Sequence, residues 1–165
     1  MAKTLILNKK QLDQKLNRLA WEVYEKNYKE KEMIIAGIAD RGVFLAKKIA
    51  ERLTKISSIK VQLATIKLNK DNPYQKDIDV DINEEDYQNK VIIIVDDVLN
   101  SGKTLIYGVK YFLSVPMKKL STIVLVDRNH NRFPIKADFV GLSLSTTLKE
   151  HVSVELEKEL AVYLS

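Results

Sequence analysis

Cysteine is absent from the chain, which removes disulfide frameworks, thiolate zinc sites and cysteine nucleophiles from consideration and fits a reducing compartment. Histidine occurs only as His130 and His151. Neither has a second ligand or nucleophile close by in sequence, so surface or structural roles are expected for both. Long apolar runs are also missing. Met1 to Asn8 holds only the run Leu5-Ile6-Leu7, well short of a signal-peptide core, and nothing later approaches the ~20 apolar residues of a membrane span. A soluble cytoplasmic protein without membrane association is expected. Internal repeats and low-complexity tracts are absent too, so the sequence reads as one continuous globular pattern.

With 165 residues and 45% hydrophobic content, the chain can bury one good core but not two ordinary ones, and residues 1–165 are read as a single domain. Its formal charge of +5, from 27 Lys and Arg against 22 Asp and Glu, favours anionic partners such as phosphorylated metabolites or nucleic acid. The charge is unevenly spread. Residues 118–136 carry Lys118, Lys119, Arg128, Arg132 and Lys136 against Asp127 alone, whereas Asp71 to Asp86 is strongly acidic. A basic run of this kind is most simply a solvated face.

Apolar periodicity sets the order of elements. Leu12, Leu16, Leu19, Ala20 and Val23 recur at helical spacing behind Asn8 and Gln11, a capping-box pair. Trp21 on that helix is expected in the core or a subunit interface, since large aromatics on amphipathic helices usually pack. Met33 to Gly37 is a continuous apolar run of strand length, followed by a polar Asp40-Arg41-Gly42 turn, a helix stripe from Val43 to Leu53 and a strand from Ile59 to Ile66. Residues 68–89 lack periodicity and read as a long flexible loop, a type usually functional or disordered. Val91 to Val95, apolar at every position, suits a strand buried on both faces. Thr104 to Leu113 is the next helix, ended by Pro116, and Ser121 to Val126 the next strand. Phe139 to Leu144 and Val152 to Leu156 read as short C-terminal strands. Such alternation predicts an α/β fold, a mostly parallel sheet with helices on both faces plus a small C-terminal strand region, and ligands beyond the C-terminal strand ends.

One stretch carries the chemistry. Val95-Asp96-Asp97-Val98-Leu99-Asn100-Ser101-Gly102-Lys103-Thr104 puts two adjacent carboxylates at the end of an apolar strand, then a hydroxyl-bearing turn that opens a helix. The turn directs N–H groups and hydroxyls at an anion, while the carboxylates can hold diol hydroxyls or a magnesium-bound ligand; a phosphorylated sugar uses both. Gly102-Lys103-Thr104 also reproduces the second half of a nucleotide-triphosphate loop. The first glycine of that loop would fall at Asp97, whose charge would sit where the triphosphate must lie. A plain capped helix after a buried strand explains the turn but not the paired carboxylates.

Ile94 to Thr104 resembles the phosphoribosyl-pyrophosphate motif of the type I phosphoribosyltransferases. Gly37-Ile38-Ala39-Asp40-Arg41-Gly42-Val43-Phe44-Leu45-Ala46 is similar to the pyrophosphate-loop segment of the pyrimidine-operon attenuators that double as uracil phosphoribosyltransferases, the PyrR type. Leu125 to His130, Phe133 to Gly141 and Val152 to Leu156 follow that family's C-terminal half in order, so the resemblance runs from about residue 6 to 157 and is weakest over the loop. It implies that Asp96 and Asp97 bind the ribose hydroxyls and, with Arg41, form the catalytic set. It further implies that Asn100, Ser101, Gly102, Lys103 and Thr104 wrap the 5′-phosphate, that Asp40, Arg41 and Gly42 take the pyrophosphate, and that Val126, Asp127 and Arg128 lie by the base. Magnesium (Mg2+) is the implied cofactor, with no dedicated set of protein ligands assigned, and phosphoribosyl pyrophosphate and a nucleobase are the implied substrates.

The implied reaction makes a nucleoside monophosphate and pyrophosphate, most readily UMP from uracil. Hypoxanthine-type relatives carry a carboxylate at the position of Asn100, and an amide cannot accept a purine proton at neutral pH. The chain departs from the family in several places. Ser101 stands for the usual Thr, Lys70-Asp71-Asn72 for an Arg-Asp-Asp run, Asn129 for a Gly and Ser145 for a Pro. The alternative function is a nucleotide-sensing, RNA-binding regulator of pyrimidine genes with weak or no catalysis. Lys15, Arg18 and Arg132 remain as RNA contacts in that reading, but Glu22 and Glu25 dilute the helix's charge and Trp21 replaces a His. A homo-oligomer is expected by resemblance.

Overall fold

The computed structural model describes residues 2–75 and 77–165. It opens with β1 (Thr4–Leu7) and α1 (Lys9–Asn27), continues through β2 (Glu32–Ile38), α2 (Ala39–Ile56), β3 (Lys60–Lys67), β4 (Asp79–Val80) and α3 (Glu84–Tyr87), and reaches the central β5 (Val91–Leu99) and α4 (Lys103–Phe112). Then come β6 (Lys119–Asp127), β7 (Phe139–Ser143), β8 (Val152–Glu155) and β9 (Ala161–Leu164). Six strands form one sheet in the order β4-β3-β2-β5-β6-β7, parallel except for the β3–β4 pair. A separate antiparallel sheet, β1-β9-β8, ties together segments from the two ends of the sequence. The expected α/β architecture is therefore present.

Successive side chains of a strand point to opposite faces, and the central strands are apolar on both. Ile35, Ile93 and Val95 join one core cluster with Leu12, Leu16 and Leu19 of α1 and Ile49 and Leu53 of α2. Ile34, Ile92 and Ile94 join the other, with Leu105 and Phe112 of α4 and Tyr87 of α3. Helices thus cover both faces. The capping box holds as the sequence suggested: the Gln11 N–H donates to Asn8 Oδ1 and the Asn8 N–H to Gln11 Oε1, both at 2.9 Å.

Four expectations need correction. The polar Asp40-Arg41-Gly42 segment is the first turn of α2, because β2 passes directly into the helix through Ala39 in a left-handed conformation (φ 48°). β5 does not stop at Val95; it continues as a strand through Asp96 and Asp97 to Leu99, held by β6 alongside. Residues 68–89 contain β4 and α3, with Asp81 Oδ1 accepting the Thr65 N–H at 2.7 Å and α3 closing its own capping box through Asn83 and Asp86. Trp21 is half exposed, edge-on to Tyr24, so it is not a core residue and only the subunit-interface half of its expectation stands. The terminal strands β1 and β9 lie outside the regular helix–strand alternation, and periodicity did not find them. β7 forms one margin of the large sheet. There Arg18 of α1 donates to the carbonyls of Val140 and Gly141 at 3.1 and 2.6 Å while pairing with Glu22 at 2.5 Å.

Candidate active site

The strands β2, β5 and β6 are parallel and adjacent, so their C-terminal ends share one edge of the sheet. A cleft of about 410 Å³ opens there, lined by Arg41, Lys70, Asp71, the whole run from Asp96 to Leu105, Val124, His151 and Val152. Its floor is acidic. Asp96 and Asp97 are only 3% and 6% exposed, an unusual burial for two neighbouring carboxylates. The Asp97 N–H donates to Asp96 Oδ1 at 2.9 Å. Burial, and then the charge of Asp97, push the Asp96 carboxyl up to about 7, with the Lys70 ammonium pulling the other way.

Lys70 Nζ lies 3.0 Å from Asp96 Oδ1 and 3.5 Å from Asp97 Oδ1, while Arg41 Nη1 approaches Asp97 Oδ2 at 3.7 Å. Burial works against the Lys70 charge, but the two carboxylates outweigh it and hold its pKa above the ordinary ammonium value. The sequence did not single out this lysine as a site residue. Topology is the signal that finds it: β3 is parallel to β2 and neighbours it, so the segment leaving β3 must emerge at the cleft edge.

The turn after β5 forms an anion cradle. Gly102 takes φ +86° before α4, a backbone state that glycine adopts without a Cβ penalty. Ser101 Oγ accepts the Lys103 N–H at 3.2 Å, and the Ser101 carbonyl accepts the N–H groups of Arg132 and Phe133 at 2.8 and 3.0 Å, which brace the turn from outside. The first residues of α4 line the same cleft, so the positive end of the helix lies at it. Lys103 Nζ donates to the Asp71 carbonyl at 2.7 Å and so ties the cradle to the segment after β3.

A phosphoribosyl transferase domain model matches residues 4–159. The chain belongs to the type I phosphoribosyltransferase family. Among its relatives, a protein named bifunctional protein PyrR from Macrococcus caseolyticus is 33% identical, covering 96% of this chain and 94% of its own length. The Bacillus subtilis protein of the same name is also 33% identical, over 94% and 91%. Solved structures show the same fold. A Trypanosoma cruzi hypoxanthine phosphoribosyltransferase superposes with a TM-score of 0.79 at 14% identity, covering 98% of this chain and 95% of its own. A hypoxanthine-guanine phosphoribosyltransferase from Bacillus anthracis reaches 0.70 at 23% identity, over 87% and 84%.

Within this phosphoribosyltransferase fold, Arg41, Asp96, Asp97 and Asn100 to Thr104 all line the cleft. Asp40 and Gly42 do not. Asp40 points outward, and Gly42 is buried where a Cβ would come within 2.5 Å of the Val95 carbonyl, so its role is to let α2 start close against β5. Val126, Asp127 and Arg128 also lie off the cleft lining. Val126 is buried in the core, while Asp127 and Arg128 make bonds within the protein. His130 lies off the cleft lining, its Nε2 2.5 Å from the Thr146 carbonyl. His151, by contrast, reaches the cleft wall, and so does Val152.

No cluster of three or more metal-ligating side chains occurs among the described residues. The site nonetheless suits a divalent cation. The buried carboxylate pair already holds a cation, the Lys70 ammonium, at 3.0 Å from Asp96 and 3.5 Å from Asp97. Two carboxylates completed by substrate oxygens match the way magnesium is usually bound.

Proposed function

We propose that this chain is a magnesium-dependent phosphoribosyltransferase that converts uracil and phosphoribosyl pyrophosphate to UMP and pyrophosphate. The observation that carries the reading is the buried Asp96–Asp97 pair sharing one cleft with the Asn100–Thr104 cradle. The spacing of the two parts along β5 and into α4 suits one ligand bearing a diol and, a few ångströms away, a phosphate. In this reading Asp96 and Asp97 accept hydrogen bonds from the ribose hydroxyls. The cradle's N–H groups, with Ser101, Lys103 and Thr104, surround the 5′-phosphate, and Arg41, beside Asp97, meets the pyrophosphate. Asp96 and Asp97 are the residues that would hold magnesium, which when bound would neutralise pyrophosphate charge.

The bond from the base nitrogen to C1′ forms as the bond from C1′ to pyrophosphate oxygen breaks; pyrophosphate leaves with the electron pair, and the proton of the base nitrogen passes to a departing pyrophosphate oxygen. Positive charge accumulates on the ribose ring along the way. The carboxylates beneath it stabilise that charge, and the fixed cradle holds the ribose in line, so positioning and electrostatics carry the rate without a covalent intermediate. Uracil is favoured over a 6-oxopurine because Asn100, at the head of the cradle, is an amide whose Oδ1 is already bonded to Arg128, so it offers no base for a purine nitrogen.

Labelled uracil, hypoxanthine, guanine and adenine, each supplied with magnesium and phosphoribosyl pyrophosphate, test the reading. Turnover confined to uracil is the expected result. Turnover of a purine overturns the specificity. Absent turnover, together with salt-sensitive binding of a structured leader RNA modulated by UMP, overturns it in favour of the regulator. The commitment of Arg18 to the β7 carbonyls and Glu22 removes one of the basic contacts that the regulator would use.

A further inference from the structure

Arg128 lies outside the cleft lining, yet its guanidinium joins two parts of the cleft that are far apart in sequence. Nη1 donates to Asn100 Oδ1 of the phosphate cradle at 2.8 Å. Nε donates to Thr146 Oγ1 at 3.0 Å, and Nη2 to the carbonyls of Thr147 and Glu150 at 3.2 and 2.5 Å. The local backbone is built for this. Asp127 Oδ1 accepts the Asn129 N–H at 2.8 Å, and Asn129 adopts a left-handed conformation (φ 58°). That turn leaves Arg128 and His130 both reaching Thr146, His130 through the Thr146 carbonyl at 2.5 Å and Oγ1 at 3.0 Å. The segment they hold leads directly into His151 and Val152, which line the cleft wall.

We propose that Arg128 is a positioning residue: its guanidinium fork holds the 146–150 segment, which leads into His151 and Val152, at a fixed distance from the phosphate cradle and so shapes the base side of the cleft. The proposal rests on the reading of the cleft as a phosphoribosyl-transfer site and adds to it a residue that controls affinity for the base. Between β7 and β8 the backbone is irregular. His151 is tied to Ser165 by paired backbone bonds and Val152 to β9, while Thr146, Thr147 and Glu150 are bonded toward the cradle side by the fork and His130, so losing Arg128 frees the 146–150 segment that feeds the wall. The cradle itself is braced independently, because the N–H groups of Arg132 and Phe133 hold the Ser101 carbonyl and α4 follows directly. Loss of Arg128 should therefore loosen the base end and spare the donor end. Lysine does not replace the fork, since one ammonium cannot span acceptors arranged around a planar five-donor group.

The test compares wild type, Arg128→Met, Arg128→Lys and Thr146→Val. It reads the KM of the base that the wild type turns over, calorimetric affinity for magnesium-loaded phosphoribosyl pyrophosphate, and melting temperature. R128M is expected to raise the base KM about tenfold or more, the scale of a lost charged hydrogen bond, with donor affinity changed less than about threefold. R128K should recover part of the loss. T146V, which removes one acceptor from the opposite side, should raise the base KM by about threefold, and it carries the test if R128M does not fold. An unchanged base KM in R128M and T146V overturns the proposal. So does a parallel loss of base and donor affinity, which would mark general loosening. A wild type that binds no donor overturns the functional reading itself, and this inference with it.

Discussion

β2 and β5 lie side by side, run in the same direction and end at the same edge, but they leave the sheet in opposite manners. β2 stays apolar to Ile38 and enters α2 at once, with no side-chain cap and with a non-glycine residue, Ala39, in the left-handed region. β5 carries Asp96 and Asp97 before its end and then makes a turn whose left-handed position is a glycine. The first exit is narrow, allowed by the missing Cβ of Gly42 beneath the Val95 carbonyl. The second is wide and ringed with donors. One strand therefore supplies a close support and a single arginine, while its neighbour supplies the carboxylates and the donor-bearing turn of the cleft.

The strongest way to break this contrast is to strip the acids from β5. Replacing Asp96 and Asp97 together by Asn is expected to cut donor affinity by ~10²-fold or more, at about 1.5–3 kcal/mol for each charged hydrogen bond removed. Melting temperature should not fall, since a buried, mutually repelling pair is neutralised. Calorimetry and thermal melts read the two effects, and a large loss of stability would mean that the pair serves the fold. The next largest effect comes from the glycines. Gly42→Ala is expected to destabilise by about 2 kcal/mol or more, because its Cβ meets backbone at 2.5 Å. Gly102→Ala should cost nearer ~1 kcal/mol, the penalty of a left-handed alanine, because its closest contact is the movable Ile135 Cγ2. Denaturant titration of both variants gives the order.

A smaller difference should appear with pH. The Asp96 carboxyl titrates near 7 in the folded chain against an ordinary 3.8, so its contribution favours the folded state fully below about pH 4 and is lost as pH rises through 7. Without donor, Asp96→Asn should therefore gain stability over wild type progressively across that window and no further above it. Melts at half-unit pH steps check this, and parallel curves for the two proteins would contradict it. The smallest effect belongs to the other exit. Ala39→Gly relieves the left-handed strain but adds unfolded-chain entropy, for a net gain of a few tenths to about 1 kcal/mol, measured as a shift in denaturation midpoint.

The same contrast shows what the sequence made legible. Asp96, Asp97 and the Asn100–Thr104 cradle are contiguous, so a single stretch of text carried most of the site. The central strands and α1 were equally readable, because an unbroken apolar run and a capped helical stripe each have a period of their own. Lys70 and Val152 were out of reach for the opposite reason: they arrive at the cleft from β3 and β8, and only the strand order brings them there. Arg128 was placed near the base by resemblance, yet its bonds run to protein acceptors, since a guanidinium's partners are set by tertiary folding. β1 and β9 escaped because four-residue strands at opposite ends of a sequence acquire meaning only through each other.

Arg18 has a consequence for how copies of this protein meet. A marginal strand is a template for an incoming strand from another molecule, and Arg18 sets a charged guanidinium against Val140 and Gly141 of β7, the kind of charge that blunts such an edge. At the opposite margin β4 pairs only with Ile66 and Lys67 of β3, which leaves residues 60–64 of that strand without a strand neighbour on that side among the described residues. Addition of a foreign strand is thereby opposed at the β7 border, while the uncovered part of β3 is where an incoming strand would find room.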